Sequence, residues 1–211
     1  MSARAYCGVA ATTRVLLRHA TTAATGTRLG GWKPGVHLDA GGRDQAEAAA
    51  RRLARLPVTA VYSSPLERTR ETAAVVARTH GLRVRIDRDL GEVEYGDWTD
   101  RPLSRLRRLA AWQVVQRTPS RMAFPGGGTI RGAQARAVDA TERLAAAHPG
   151  GTLVLVSHAD VIKAVVAHHL GMGLDLFQRL VVSPASSTTI LLPEGGHPLL
   201  LALNDTSDPG A

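Results

Sequence analysis

Two apolar segments of the sequence each end on a histidine. The first, Val15-Leu-Leu-Arg18-His19, leads into Ala-Thr-Thr22, and the second is Leu153-Val-Leu-Val-Ser157-His158. In open α/β sheets, ligands bind just beyond the carboxyl ends of the strands. Two histidines and an arginine at that edge indicate a nucleophilic imidazole that acts on an anion.

A further arginine is expected near the same edge. The run Ser64-Pro65-Leu-Glu67 predicts a helix start, with Ser64 as the cap, Pro65 at the first helical position and Glu67 closing a capping box. Arg68 would then lie in the first turn, where a cation opposes the helix dipole unless an anion compensates it. A shared anion site is one interpretation. Core or surface histidines, a structural ion pair at Arg18 and a solvated Arg68 are the alternatives.

Strand and helix patterns alternate along the chain. Strands are predicted at 14–17, 58–63, Val84–Ile86, 152–156, 187–192 and 199–203. Helices are predicted at about 42–56, from Ser64 onward, and at about 102–117, 131–148 and 159–170, the last capped by Ser157 and Asp160. The segment Leu90–Thr99 is expected to be irregular. This alternation predicts an α/β fold, a three-layer α/β/α sandwich with a mostly parallel sheet covered on both faces.

Composition limits the classes of protein that the chain can form. Its 211 residues suit one domain, with a core over about 14–205 and loose termini at 1–12 and 206–211. The single cysteine, Cys7, excludes an internal disulfide and a cysteine-based zinc cluster. No apolar run reaches the length of a signal peptide or a membrane span. A cytoplasmic protein without a membrane partner is therefore expected.

The chain carries a formal charge of +8, and Lys33 and Lys163 are its only lysines. The arginines form no single basic block and have few aromatic residues between them, so nucleic acid is not an expected partner. A phosphorylated substrate is compatible with this charge. Whether the chain forms a homodimer is left open.

Several motifs resemble those of the histidine phosphatase (phosphoglycerate mutase-like) superfamily, and they occur in that family's order. The residues that fill these motifs are similar to those of an actinobacterial branch described only as phosphomutases or phosphatases. The matching blocks are Arg18-His19-Ala-Thr-Thr22, Ser63-Ser-Pro-Leu-Glu-Arg68-Thr-Arg-Glu-Thr72, Leu90-Gly-Glu92-Val-Glu-Tyr-Gly96-Asp-Trp98, Phe124-Pro-Gly-Gly127 with Arg136, and Val156-Ser-His158-Ala-Asp-Val-Ile-Lys163. The resemblance implies a phosphoglycerate mutase-like fold in one domain.

The resemblance also implies roles that suit the chemistry of the residues. His19 would attack phosphorus as a neutral imidazole and form a phosphohistidine. Arg18, Arg68 and His158 would hold the phosphoryl oxygens, and Glu92 would act as general acid and then general base. No metal or other cofactor is expected, and His168 and His169 are interpreted as helix-end cations. The remaining residues expected at the substrate are Thr22, Thr25 and Ala159.

Four positions depart from the family pattern. Ala20 and Ala159 stand where glycines usually follow each histidine. Thr25 replaces a common asparagine, and Gly128 replaces the glutamate of the usual Pro-Gly-Gly-Glu-Ser. None belongs to the implied catalytic set, so these departures bear on specificity and rate.

The expected function is a phosphomonoester hydrolase that acts on a small phosphorylated metabolite. A phosphomutase of the phosphoglycerate mutase type is the alternative, although such mutases generally carry longer insertions than the segment 101–124 found here. A non-catalytic binder of phosphorylated ligands or nucleic acid is the alternative from another class. Segment 101–130 is expected to cover the pocket mouth, where its arginines would either contact a second anionic group or remain solvated; they are Arg101, Arg105, Arg107, Arg108, Arg117 and Arg121.

Overall fold

A computed structural model describes residues 11–208 and shows one six-stranded sheet in the order β3-β2-β4-β1-β5-β6. The predictions for Cys7, for residues 1–10 and for residues 209–211 concern positions outside the described residues. The strands are β1 (Ala11–Arg18), β2 (Val58–Ser63), β3 (Val84–Ile86), β4 (Thr152–Ser157), β5 (Ser187–Pro193) and β6 (Leu199–Asp205). The helices are α1 (Ala40–Leu53), α2 (Glu67–Thr79), α3 (Leu103–Leu106), α4 (Ala110–Arg117), α5 (Ile130–Ala146) and α6 (Ala159–His169).

The sheet is mostly parallel, as the sequence predicts. Strands β1 to β4 pair in parallel, while β5 and β6 form an antiparallel hairpin that joins β1. Helices α1 and α2 pack together on one face, and α5 and α6 pack together on the other. The three-layer α/β/α architecture is confirmed.

The strands divide their side chains between two cores because successive side chains point to opposite faces of a sheet. Val15 and Leu17 of β1 pack on the face of α1 and α2, whereas Leu16 packs on the face of α5 and α6. The central strand β4 is buried along its whole length. Because this alternation is fixed by packing on both faces, it also fixes where the residue after each strand lies at the sheet edge.

The described chain is structured beyond both limits expected from the sequence. Strand β1 begins at Ala11 rather than at residue 14, because Thr12 and its neighbours pair with β5. After β6, Asp208 lies 2.7 Å from the Arg51 guanidinium, so the expected loose segment from 206 is held against α1 as far as it is described. Within residues 11–208, no helix is both long and apolar enough to cross a bilayer.

The single helix predicted at 102–117 is wrong. The structure has two short helices there, α3 and α4, because Leu109 takes an extended backbone conformation with ψ of 139°. Beyond this break, the Trp112 ring stacks on Trp98 with ring centroids 6.3 Å apart. Tertiary packing of aromatic side chains thus accompanies the interruption of the helical pattern.

Both predicted helix caps are also wrong. Helix α2 begins at Glu67 with Leu66 as its N-cap, and no side chain caps it. The hydroxyl of Ser64 instead lies 2.9 Å from Nε2 of His158. Ser157 donates its hydroxyl to the Leu90 carbonyl at 2.7 Å, and His158 is itself the N-cap residue of α6. Long-range partners therefore occupy the hydroxyls that the sequence assigned to local capping.

Candidate active site

The two histidines meet because their strands are neighbours in register. Arg18 at the end of β1 is aligned with Ser157 at the end of β4, so His19 and His158 leave adjacent parallel strands at the same level. The His19 amide donates to the Ser157 carbonyl at 3.0 Å. The two imidazole rings then pack edge to face, with centroids 5.2 Å apart.

The hydrogen bonds of His19 identify its available nitrogen. Nδ1 lies 2.8 Å from the Ala20 carbonyl, which can only accept, so Nδ1 carries the proton and donates. Nε2 is unprotonated, and its lone pair accepts a hydrogen bond from Nε of Arg68 at 3.3 Å. Burial, reinforced by the nearby Arg68 charge, lowers the pKa of His19 to about 3. The ring is therefore neutral near pH 7, as a nucleophile requires.

Two largely buried guanidinium groups lie at the site with unused donors. Arg68 is the second residue of α2 and donates to the Gly31 carbonyl at 2.8 Å, and Arg18 donates to the Val182 carbonyl at 2.7 Å. Nη1 of Arg68 and Nε of Arg18 are buried and have no hydrogen-bond partner among the described residues. Buried donors are normally paired, and guanidinium donors match the geometry of phosphoryl oxygens. This pair suits an anionic ligand.

His158 is fully buried. Its Nδ1 accepts from Nη2 of Arg68 at 3.3 Å, so its Nε2 carries the proton and donates to Ser64. Burial, followed by the charge of Arg68, lowers the pKa of His158 well below its usual value. His158 and the Gly31 carbonyl thus both hold Nη2 of Arg68.

Glu92 lies beside the two histidines. Its Oε2 is 3.7 Å from Nδ1 of His158, and its Oε1 accepts from the Val93 amide at 2.9 Å. Burial, with a smaller contribution from Asp160, raises the pKa of Glu92 to about 7 against the opposing effect of Arg68. A carboxyl group with this pKa can exchange a proton in either direction near neutral pH. Its neighbour Glu94 is exposed.

A cavity of about 180 Å³ brings most of the sequence-predicted site residues together. Thr22 and Thr25 meet at its edge, where Oγ1 of Thr25 accepts from the Thr22 amide at 2.9 Å. Ala159 contributes the first residue of α6. Seven of the eight predicted residues line the cavity, and only His158 lies behind its wall; the seven are Arg18, His19, Thr22, Thr25, Arg68, Glu92 and Ala159.

Other cavity residues were missed or interpreted differently from the sequence. Tyr95 is buried, lines the cavity and donates to Asp160 at 2.9 Å. Arg28 lines the outer cavity and pairs with Asp100 at 2.7 Å. Of segment 101–130, Leu103 alone lines the cavity. The six arginines of this segment are all exposed and outside the cavity, as the solvated alternative predicts.

Arg136 supports the backbone of Glu92. Its guanidinium donates to the carbonyls of Asp89 at 2.7 Å and of Gly91 and Glu92 at 3.1 Å each. The indole of Trp32 donates to the same Glu92 carbonyl at 2.6 Å. The carbonyl contacts place Arg136 as a positioning residue for Glu92. The sequence held a signal for it, because Arg136 accompanies one of the family blocks, but gave it no role.

We expect Arg136→Ala to lower kcat by about tenfold and to move the alkaline limb of the pH–rate profile, because Glu92 loses its fixed position. KM should change less, since Arg136 does not line the cavity. Arg136→Lys should restore only part of the activity, because a lysine lacks the planar fork. A parallel change in KM with an unmoved pH profile would contradict the positioning role.

Glu142, His168 and His169 form a separate cluster whose possible ligand atoms lie within 4.8 Å of one another. Nη1 of the buried Arg14 lies 3.0 Å from Nε2 of His169. Burial and the Arg14 charge lower the pKa of His169 to about 4. The guanidinium occupies the ring nitrogen that a metal would use and opposes a second positive charge. We therefore do not assign a metal site to this cluster.

The sequence matches the family model of the histidine phosphatase superfamily (branch 1) over residues 15–206. It is 30% identical over 182 residues to the bifunctional protein Rv2228c of Mycobacterium tuberculosis, covering 82% of this chain and 48% of that protein. It is 28% identical over 171 residues to phosphoserine phosphatase 1 of Hydrogenobacter thermophilus, covering 80% and 81% of the two chains. The structure is similar to that of mycobacterial glucosyl-3-phosphoglycerate phosphatase, with a TM-score of 0.82, 27% identity and coverage of 92% and 99%.

The chain belongs to the histidine phosphatase superfamily. Its match to the family model takes in both strand-ending histidines and the loop of Glu92, so the resemblance drawn from the motifs is confirmed. The chain spans about half the length of the mycobacterial bifunctional protein and its counterparts.

Proposed function

We propose that this chain is a single-domain phosphomonoester hydrolase that acts through a phosphohistidine on His19. The arrangement of His19 supports this proposal most strongly: Nδ1 is held by the Ala20 carbonyl, and the unprotonated Nε2 accepts from Arg68, a cavity residue that would bind the phosphoryl group. The phosphatases named among its relatives support hydrolysis as the reaction class. The cavity volume of about 180 Å³ suits a small phosphorylated metabolite.

In the first step, Nε2 of His19 would attack phosphorus while the bond from phosphorus to the ester oxygen breaks. Protonated Glu92 would give its proton to that oxygen, which leaves as the alcohol. The spare donors of Arg18 and Arg68 would bind the non-bridging oxygens, where the negative charge of a loose transition state is spread. His158, whose Nδ1 accepts from Nη2 of Arg68, would hold that arginine in place within the clamp.

In the second step, the Glu92 carboxylate would take a proton from water as that water attacks phosphorus. The bond from phosphorus to nitrogen breaks, inorganic phosphate leaves, and His19 returns to its neutral form. Glu92 ends protonated, as it began. A pKa of about 7 fits both halves of this cycle, because neither form of the carboxyl is strongly disfavoured at neutral pH.

Phosphate release from a panel of phosphomonoesters tests the proposal. We expect the purified chain to release inorganic phosphate from sugar phosphates, phosphoserine or phosphoglycerates, without added metal. Isomerised product without phosphate release would instead identify a mutase. Salt-sensitive binding that persists in His19→Ala, with no turnover by the wild type, would identify a non-catalytic binder.

A further inference from the structure

A second cavity of about 180 Å³ adjoins the site cavity. The two share three lining residues, Leu29, Tyr95 and Asp160. We call it the aromatic cavity, because its walls also include Trp98, Trp112 and Phe124. A ligand held by the arginines could extend past the shared residues into this space.

Aromatic side chains are scarce in this protein, and the aromatic cavity uses half of them. The chain has eight Phe, Trp and Tyr residues, and four of these line it. The Phe124 ring contacts Trp98 and Tyr95 edge to face at 5.4 and 5.0 Å between centroids. An apolar cavity of about 150 Å³ is enough to bind benzene, so the volume of this one admits a six-membered ring. The polar part of its lining is Asp160, Gln116 and Gln178.

Two of the shared lining residues, Tyr95 and Asp160, lie close to Glu92. Tyr95 follows Glu92 by three residues in the same loop, and its hydroxyl donates to Oδ2 of Asp160. Asp160 is close enough to both side chains for its charge to raise the pKa of Glu92 and that of Tyr95. The group that Glu92 would protonate is the ester oxygen, so the alcohol part of the substrate would leave from this side.

We propose that the aromatic cavity is a leaving-group subsite that selects phosphomonoesters of ring-containing alcohols, aromatic or alicyclic. This inference rests on the proposed hydrolase function. The ring would lie among Trp98, Trp112 and Phe124, while Asp160 would accept a hydrogen bond from a hydroxyl or amino group on the ring. Short aliphatic esters would fill only the site cavity.

The test compares benzyl phosphate with n-propyl phosphate, because both leave as primary alcohols and only one carries a ring. We expect kcat/KM of the wild type to be at least about tenfold higher for benzyl phosphate. Val115→Phe should remove this preference, because Val115 lines the aromatic cavity and a phenyl group would fill it. Hydrolysis of propyl phosphate should stay within about twofold of the wild type.

Two further variants serve as a control outside the cavity and as a second change within it. Leu109→Phe adds a ring at a position that is 39% exposed and outside the cavity, and it should keep the benzyl preference. Trp112→Ala removes one aromatic wall and adds no side-chain bulk to the core, so it should weaken the preference even if Val115→Phe fails to fold. Equal kcat/KM for the two esters in the wild type, or an equal loss for both in Val115→Phe, would overturn the subsite while leaving the hydrolase standing.

Calorimetric titration with benzylphosphonate and methylphosphonate separates the subsite from the chemistry, because neither compound can be hydrolysed at the ester position. We expect benzylphosphonate to bind at least about tenfold more tightly, and Val115→Phe to abolish the difference. Tighter binding of benzylphosphonate by a protein that hydrolyses no ester would support the subsite and reject the hydrolase function. Equal affinities of the two phosphonates would reject the subsite.

Discussion

His19→Ala is expected to abolish turnover, with a loss of kcat of at least about 10⁴-fold, because no other described side chain presents a comparable lone pair to the cavity. The neighbouring His158 is placed differently: its Nε2 donates to Ser64, and its Nδ1 accepts from Arg68. It cannot replace His19 without losing these contacts. Steady-state phosphate release measures the loss.

The matched control for His19→Ala is the same substitution at the second histidine. His158→Ala should slow phosphorylation of the enzyme but leave a detectable covalent intermediate, because it removes a support of Arg68 and not the nucleophile. A ligand-binding readout separates folding from chemistry, since His19→Ala should still bind inorganic phosphate through Arg18 and Arg68. Equal residual turnover in the two variants would contradict the unequal roles.

Glu92→Gln is expected to lower kcat by about 10²- to 10⁴-fold for esters of alkyl alcohols. The loss should be much smaller for p-nitrophenyl phosphate, because its leaving group departs without a proton. Dephosphorylation should also slow, so the phosphoenzyme should accumulate with the activated ester. Glu94→Gln is the matched control and should retain near wild-type activity, because Glu94 is exposed and does not line the cavity. Equal losses for alkyl and p-nitrophenyl esters in Glu92→Gln would contradict the role of general acid.

The pH dependence of kcat/KM provides a second measurement on these proteins. Phosphorylation needs protonated Glu92, whose pKa is about 7, so activity should fall as the pH rises through that value. It also needs neutral His19, whose pKa is about 3, so protonation of His19 should reduce activity only near pH 3. Glu92→Gln should lose the alkaline limb. Ionisation of the phosphate ester near pH 6 affects wild type and variant alike.

Much of the fold and site could be predicted from the sequence, because periodicity and strand ends carry the information. Buried apolar runs predict β1 and β4, and parallel neighbours deliver the residues that follow them, His19 and His158, to one sheet edge. The strand end and the predicted helix start also bring Arg18 and Arg68 towards this edge, whereas Glu92 could be expected only from the family motifs. Spacing alone left a solvated Arg68 and a structural Arg18 as alternatives.

The remaining features depend on contacts between residues far apart in the sequence. Ser64 looks like a helix cap until His158, 94 residues later, occupies its hydroxyl. The pattern at 102–117 looks like one helix until Trp112 stacks on Trp98. The carbonyls that Arg136 contacts are backbone groups, so no side-chain pattern in the sequence indicates them. The aromatic cavity forms between α4 and the loop of Tyr95, which are distant in the predicted pattern.

Rapid acid-free trapping of the phosphoenzyme is the most direct test of the central claim. The wild type would be mixed with a labelled phosphomonoester, quenched in alkali and digested, and the labelled peptide would be sequenced by mass spectrometry. We predict one phosphorylated residue, His19, modified at Nε2, with no label in His19→Ala and slower labelling in His158→Ala. A stable phosphate on His158, or turnover of the wild type without any labelled histidine, would contradict the account.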